Sequence, residues 1–378
     1  MNRDNQIITR FSSEKLTDTQ YRIVERWDKA FLDWFEGNRK EHCWGRIVIF
    51  TDDHVWDIYK EKITASLKSL QRPLVPLVLP MGEDSKDFNV LPGLVETLLR
   101  NRVHRRDLIV CAGGGVCCDL GGMLAMLYMR GIDYVNVPTS LIAQIDAAIG
   151  GKVGSNFGIH KNLLGGFHHP LQVFIDISFL DTLPEIYFKS ALAEAFKVAI
   201  IRENHDTLLE LMEKQPGALL KRRKKALLEL LEQCLRGKLE LLADDPYERC
   251  LDRSLNLGHA VAHALERLPV MANLRKPLHG EAVAVGLAAG IRFAFRQGLC
   301  SRNRAVRLLE ILKALDLPVK PDHVNPQLVK SQLGLISDQR GGLIRLVVPV
   351  DQGGVEILPR ADVDVLIQCL EPIAGLPM

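Results

Sequence analysis

The chain has 378 residues, about two to three times the usual single-domain length of roughly 100–200, so two domains are expected. With 48 Lys+Arg against 46 Asp+Glu the formal net charge is +2, which excludes the strong field that nucleic acid or a charged membrane surface would need as a partner. Hydrophobic residues make up 47%, yet apolar runs break well before the ~20 residues of a membrane span, and the polar start Met1-Asn2-Arg3-Asp4 has no apolar leader, so a soluble cytoplasmic protein is expected.

Residues 47–51 (IVIFT) form a β-rich stretch that ends in Asp52-Asp53 and feeds a helical pattern over 55–70. A second strand at 74–79 precedes Gly82-Glu83-Asp84-Ser85-Lys86 and a helical pattern over 91–101. A third, 107–112, runs into Gly113-Gly114-Gly115, and a fourth, 134–137, stops at Pro138-Thr139. Strands alternating with helices predict a parallel sheet wound with helices. Ligands collect at the carboxyl ends of such strands, which is where the Asp52, Gly113–Gly115 and Thr139 turns fall.

The glycine run lets backbone N–H groups approach a pyrophosphate at a helix N-terminus. Its spacing is not GxGxxG, so on its own it is equally a tight turn. Asp119, one turn on, is either an acid favoured by the helix dipole or an acceptor for a hydroxyl. The eight cysteines have no CxxC pairing and read as small core hydrophobes.

A polar, glycine-rich segment follows: Asp146, Gly150-Gly151-Lys152, His160-Lys161-Asn162 and Gly165-Gly166. Lysines and an Asn on flexible backbone suit a phosphorylated ligand, and they also suit an ordinary surface loop. His168-His169 precede a strand-like VFIDI run and read as structural. Thr182 with Glu185 forms a capping-box pattern and Pro184 suits a first turn, which predicts a helix over 184–202. Helical periodicity then dominates over 208–212, 219–242, 255–268 and 279–295, with strand-like sequence only at 343–348. The domain boundary is placed near 183, giving domains 1–183 and 184–378.

His259 and His263 are four residues apart in a helical stretch and share one face; His279 opens the next helix, and Glu194 and Lys197 share a face of the 184–202 helix. Such histidines can cap helices or sit satisfied in a core. Three within twenty-one residues, beside a Glu-bearing helix, favour a divalent metal with open positions, typically zinc.

Together these segments resemble the sugar phosphate cyclases, whose best-known member is 3-dehydroquinate synthase. The resemblance spans about residues 47–348 through GGGV..DL.G, Arg130-Gly131, VPT, Gln144-Ile145-Asp146, GGK, Lys161-Asn162, LAE..K, LNLGH...H and LHGEAVAVG. It implies an α/β Rossmann-like NAD-binding domain followed by an all-α metal-binding domain, and a homodimer. It implies Glu194, His259 and His279 as zinc ligands, with cobalt an alternative metal. Around NAD it places Asp52, Glu83, Lys86, Gly114, Gly115, Val116, Asp119, Thr139, Ser140, Lys161, Phe179 and Thr182. On a phosphorylated C7 sugar it places Asp146, Lys152, Asn162, Lys197, Lys238, Asn256 and His263, with Arg130 in a neighbouring subunit's phosphate site. Asp146, Lys152, Lys197 and His263 are the catalytic candidates, His263 for proton transfer. The implied reaction is transient oxidation by NAD, β-elimination of phosphate, re-reduction, ring opening and aldol closure, with no net oxidation.

Two departures bear on the substrate. Where 3-dehydroquinate synthases carry an Arg that grips the substrate carboxylate, seven residues before the first zinc His, this chain has Asp252, an acid that would repel a carboxylate and accept from a hydroxymethyl group. A late lysine motif is replaced by Asp338-Gln339-Arg340-Gly341-Gly342, where Arg340 substitutes in part. Asn156-Phe157 and Ser178-Phe179-Leu180 resemble the members that cyclise sedoheptulose 7-phosphate, whereas Asn256 and His263 look more like 3-dehydroquinate synthase. The expectation is a cyclase acting on sedoheptulose 7-phosphate, with 3-dehydroquinate synthase as the alternative. A metal-dependent polyol dehydrogenase shares the layout but has no need of the Lys152, Lys161-Asn162 and Arg130 phosphate set.

Overall fold

The computed structural model describes residues 9–10, 19–158, 160–205, 207–243, 245–250, 253–269, 275–322, 324–339 and 342–377. Internal contacts divide the chain into two compact units, one ending at Leu183 and one beginning at Pro184.

The first unit runs β1 (Thr9–Arg10), β2 (Gln20–Val24), α1 (Trp27–Gly37), β3 (Ile47–Asp52), α2 (Asp53–Lys68), β4 (Leu74–Leu79), α3 (Leu91–Arg100), β5 (Leu108–Gly113), α4 (Gly115–Leu127), β6 (Asp133–Pro138), β7 (Lys152–Phe157), β8 (His160–Phe167) and β9 (Gln172–Asp176). A seven-stranded sheet has the order β1-β2-β9-β6-β5-β3-β4. The β1–β2 pairing is antiparallel and the others are parallel. On β3, Val48 and Phe50 enter one apolar cluster with α3 and α4, while Ile47 and Ile49 enter another with α1 and α2. Alternate residues thus feed opposite cores, which is why the strand reads as a continuous apolar run. The glycine-rich segment is not a loop: β7 and β8 pair as an antiparallel ribbon.

The second unit is helical: α5 (Glu185–Ile201), α6 (Leu208–Lys214), α7 (Pro216–Leu220), α8 (Lys224–Ala243), α9 (His259–Glu266), α10 (His279–Arg296), α11 (Arg302–Ala314), α12 (Pro326–Gln339) and α13 (Val363–Gln368), with one antiparallel ribbon, β10 (Leu346–Pro349) and β11 (Val355–Leu358), inserted before the last helix. The strand-like run near 343–348 is one arm of that ribbon. The expected Thr182 capping box is absent, because Pro184 takes the N-cap position of α5. The Thr182 hydroxyl is instead engaged with Phe179 O at 3.2 Å and the Tyr59 hydroxyl at 2.7 Å. Among the described residues no helix is long and apolar enough to cross a membrane. The eight cysteines are free thiols, buried except for Cys43 and Cys250.

Candidate active site

In the first unit, the strand ends gather most residues assigned to the dinucleotide. Asp52 closes β3 and caps α2, its Oδ1 accepting from Val55 N at 2.8 Å. Its Oδ2 lies 3.6 Å from Cys117 Sγ, and burial, with this carboxylate next in weight, pushes the Cys117 thiol well above its ordinary pKa. Gly113 ends β5 and Gly114 is the N-cap of α4, so Gly115 and Val116 supply the N–H groups of the first turn. A Cβ on Gly113 would meet Cys117 Sγ at 2.4 Å, so the turn has no room for a side chain there. Thr139 N donates to Gly113 O at 2.9 Å, which ties the turn after β6 to the glycine run and brings Ser140 alongside Gly114. Phe179 lies in the core with its ring edge-on to Tyr59, and Thr182 follows it.

A second group forms around Lys86, in the short 3-10 turn Glu83–Lys86 after β4. Its buried ammonium donates to Asp119 Oδ2 and to Asn162 Oδ1, both at 2.5 Å. Burial works against this ammonium, yet Asp119 and Glu83 hold its pKa above the ordinary value; burial also raises the Asp119 carboxyl despite the lysine. Lys152 opens β7, Lys161 and Asn162 lie on β8, and Asp146 is in a π-turn, Ala143–Ala147. Arg130 stands apart on an exposed turn after α4, where Met129 and Arg130 hold left-handed φ of +50° and +63°. His168 stacks on Tyr134 with ring centroids 5.1 Å apart, in keeping with a structural role.

In the second unit Glu194, His259 and His279 come from α5, α9 and α10, and one potential ligand atom from each lies within 4.8 Å of the other two. Close helix contacts produce this. A Cβ on Gly280 would sit 1.9 Å from Ser190 O, and one on Gly286 2.0 Å from Gly258 O, so α10 approaches α5 and the start of α9 at glycine distance. Gly258 itself has φ +80°, a left-handed N-cap that aims α9 at the same point.

Glu194 Oε1 lies 3.5 Å from His259 Nε2 and 3.3 Å from His279 Nε2, and its other oxygen pairs with Lys197. Each imidazole is oriented from behind, His259 Nδ1 by Leu257 O at 3.1 Å and His279 Nδ1 by Glu266 Oε1 at 3.2 Å. Burial works to raise the Glu194 pKa, but Lys197 and the two histidines hold it well below the carboxylate range. Burial, then Lys197, pushes His259 down to about 3, so its ring is neutral with a lone pair to give. Burial opposes a charge on His279 as well, yet bonds to Glu194 and Glu266 lift it to about 10. Three convergent N/O donors, each held by a neighbour, fit a divalent metal of the zinc type. His263 lies edge-on to His259 at 5.4 Å between ring centroids and is not one of the three. Lys238 is buried on α8, and Asn256 lies in the turn before α9.

Sequence reading missed Glu266, which orients His279, and Tyr59, which engages Thr182. The Glu266 signal was faint, an acid in the same helical run as His259 and His263. Asp252 and Arg340 lie outside the described residues.

Two family models cover most of the chain, "3-dehydroquinate synthase N-terminal" over residues 76–190 and "3-dehydroquinate synthase C-terminal" over residues 191–336. The chain belongs to the 3-dehydroquinate synthase family. It is therefore a phosphate-eliminating sugar phosphate cyclase, and the polyol dehydrogenase reading is set aside. It is 42% identical over 311 residues to a 2-epi-valiolone synthase of Stigmatella aurantiaca, covering 80% of this chain and 75% of that one. It is 33% identical over 362 residues to a 3-dehydroquinate synthase of Dictyoglomus thermophilum, covering 94% and 96%. Among solved structures, ValA, a 2-epi-5-epi-valiolone synthase from Streptomyces hygroscopicus subsp. jinggangensis with NAD+ and Zn2+ bound, superposes with TM-score 0.84 at 29% identity, covering 96% of this chain and 98% of that one.

Proposed function

We propose that this cyclase acts on sedoheptulose 7-phosphate, using NAD held by the first unit and a zinc ion held by Glu194, His259 and His279. When bound, NAD supplies a hydride acceptor that later returns the hydride, and zinc supplies Lewis acidity toward substrate oxygens. The ValA structure with both groups supports this pairing, as does the donor set described above.

Each residue keeps a role that its chemistry allows. The Gly114–Val116 turn and Thr139-Ser140 offer N–H and hydroxyl donors to the dinucleotide, with Asp52, Glu83, Lys86, Asp119, Lys161, Phe179 and Thr182 around it. Lys152, Asn162 and Arg130 bind phosphate as point charges and donors, Arg130 in a partner copy's site; the exposed Leu127 and Met129 beside Arg130 support a homodimer. Asp146, Lys197, Lys238 and Asn256 orient the sugar hydroxyls. His263 takes up and returns protons at its imidazole during elimination and ring opening.

The observation that carries the substrate is Asp252, an acid where a carboxylate-gripping Arg would stand. Asn256 and His263, with Lys238 kept on the side where that family's substrate carboxylate is gripped, favour 3-dehydroquinate synthase as the second reading. Facing a carboxylate with an acid in a partly desolvated site costs about 1–3 kcal/mol, so wild type should prefer sedoheptulose 7-phosphate over the carboxylated heptulosonate phosphate by roughly ten- to a hundredfold. Phosphate release from both substrates tests this, together with Asp252→Arg, which should shift the preference toward the carboxylated sugar. Faster turnover of the heptulosonate by wild type would make 3-dehydroquinate synthase the better assignment.

A further inference from the structure

The tip of the β7–β8 ribbon is fastened to the Glu83–Lys86 turn by one side chain that carries no role in the reading above. Asn156 Nδ2 donates to Glu83 Oε1 at 2.9 Å, and its Oδ1 accepts from Asn162 N at 2.8 Å. Asn162, in a left-handed conformation with φ +50°, accepts in turn from Lys86 Nζ, which also holds Asp119. The backbone agrees with the side chain. The ribbon's register shifts between Ser155 and Phe157, and Asn156 pairs in parallel with Asp87. Phe88 and Phe157 meet edge-on beside it at 6.5 Å. Glu83, Lys86 and Asp119 belong to the dinucleotide set and Asn162 to the substrate set, so the network joins the two.

We infer that Asn156 is a positioning residue of the cyclase site, whose amide locks the dinucleotide-side turn to the substrate-side Asn162 in one register; the inference rests on the functional reading above. A primary amide is suited to this because it presents a donor and an acceptor at fixed separation. A carboxylate at this position would keep the acceptor for Asn162 N but set a second negative charge against Glu83. That predicts a rescue: with Glu83→Gln added, the new amide donates to the new carboxylate and the lock re-forms with its polarity reversed.

The test uses the full chain as wild type, Asn156→Asp, Glu83→Gln and the double variant, each titrated with NAD and assayed for phosphate release from sedoheptulose 7-phosphate. Loss of a hydrogen bond to a charged group corresponds to about tenfold. Asn156→Asp should therefore raise both the NAD Kd and the sugar phosphate KM about tenfold, with kcat changed less. The double variant should return both constants to within about threefold of Glu83→Gln alone. Multiplicative effects with no rescue would overturn the inference. So would a lowered melting temperature with unchanged Kd and KM, the mark of a merely structural residue. If Asn156→Asp fails to fold, Asn156→Ser gives the same reading, since it too should raise both constants, and unchanged values would overturn the inference. A wild type that binds no NAD would overturn the functional reading and this inference with it; a wild type that binds and turns over, beside variants that match it, would overturn the inference alone.

Discussion

The glycine turn of the first unit and the Glu194 cluster of the second are both built at glycine contacts, but they are built from opposite materials. Around Gly113–Gly115 the functional groups are backbone N–H donors, and the buried charges nearby are matched in place, Lys86 against Asp119. In the second unit one buried carboxylate faces Lys197 and two imidazoles at once, and every donor atom converges on one point. The first arrangement is complete as a protein surface and, on the proposed reading, would take up its ligand by shape and dipole. The second gathers a carboxylate and two imidazoles from three helices, an arrangement that a divalent cation would complete by displacing the proton that Glu194 and Glu266 favour on His279. One site should therefore tolerate loss of its ligand, while the other should depend on each side chain.

The largest expected effect is at Glu194. Glu194→Ala removes the carboxylate that faces the buried Lys197, a change that costs about 3–5 kcal/mol, and should abolish metal binding. His259→Ala and His279→Ala should each remove metal and turnover with a smaller stability change. Metal content by mass spectrometry and thermal melting check all three, and unaltered metal content in the two histidine variants would break the ligand assignment. NAD affinity of the Glu194 variant, measured at a temperature where it stays folded, should stay near wild type if the two regions are separately built.

Next comes Glu266→Gln, which keeps the shape behind His279 but removes the charge. Metal affinity should fall by about ten- to a hundredfold, as is usual when the orienting partner of a ligand histidine is weakened. A chelator competition titration measures it, and an unchanged affinity would mean that Glu266 is only a packing partner.

The smallest effect is expected at Gly113. A methyl there meets Cys117 Sγ at 2.4 Å and Cys117 Cβ at 2.6 Å, so Gly113→Ala must move the first turn of α4. Overpacking of this kind costs about 1–3 kcal/mol, and NAD affinity should drop about tenfold with metal content unchanged. Loss of metal in this variant would contradict the separation of the two regions.

The same contrast explains what could be read in the sequence. β3 to β6 are legible because each is an apolar run that stops at a turn residue, and most of the residues assigned to the dinucleotide fall at those stops. Helix α1 went unread: Arg26 gives it no side-chain cap, and its aromatic face of Trp27, Phe31, Trp34 and Phe35 becomes meaningful only against the sheet. The β7–β8 segment reads from sequence equally as a phosphate-binding stretch or a surface loop, and its strands are not legible because Gly154 faces Gly165 and Val153 faces Gly166 across the ribbon, where a Cβ on Gly165 would strike Val153 O, so no apolar alternation marks it. In the metal cluster, helical spacing alone puts His259 and His263 on one face; the family resemblance singles out His279 over His263, and the structure supplies the physical reason, Gly280 and Gly286 drawing α10 inward.

The account rests on a cyclase that uses NAD catalytically and expels phosphate. Its most direct test supplies zinc, substoichiometric NAD and sedoheptulose 7-phosphate to the wild-type enzyme, and follows inorganic phosphate and NADH in the same sample. Phosphate should accumulate far beyond the NAD present while NADH stays at or below the enzyme concentration. NADH rising in step with substrate consumed, or phosphate release that stops at one equivalent of NAD, would contradict it.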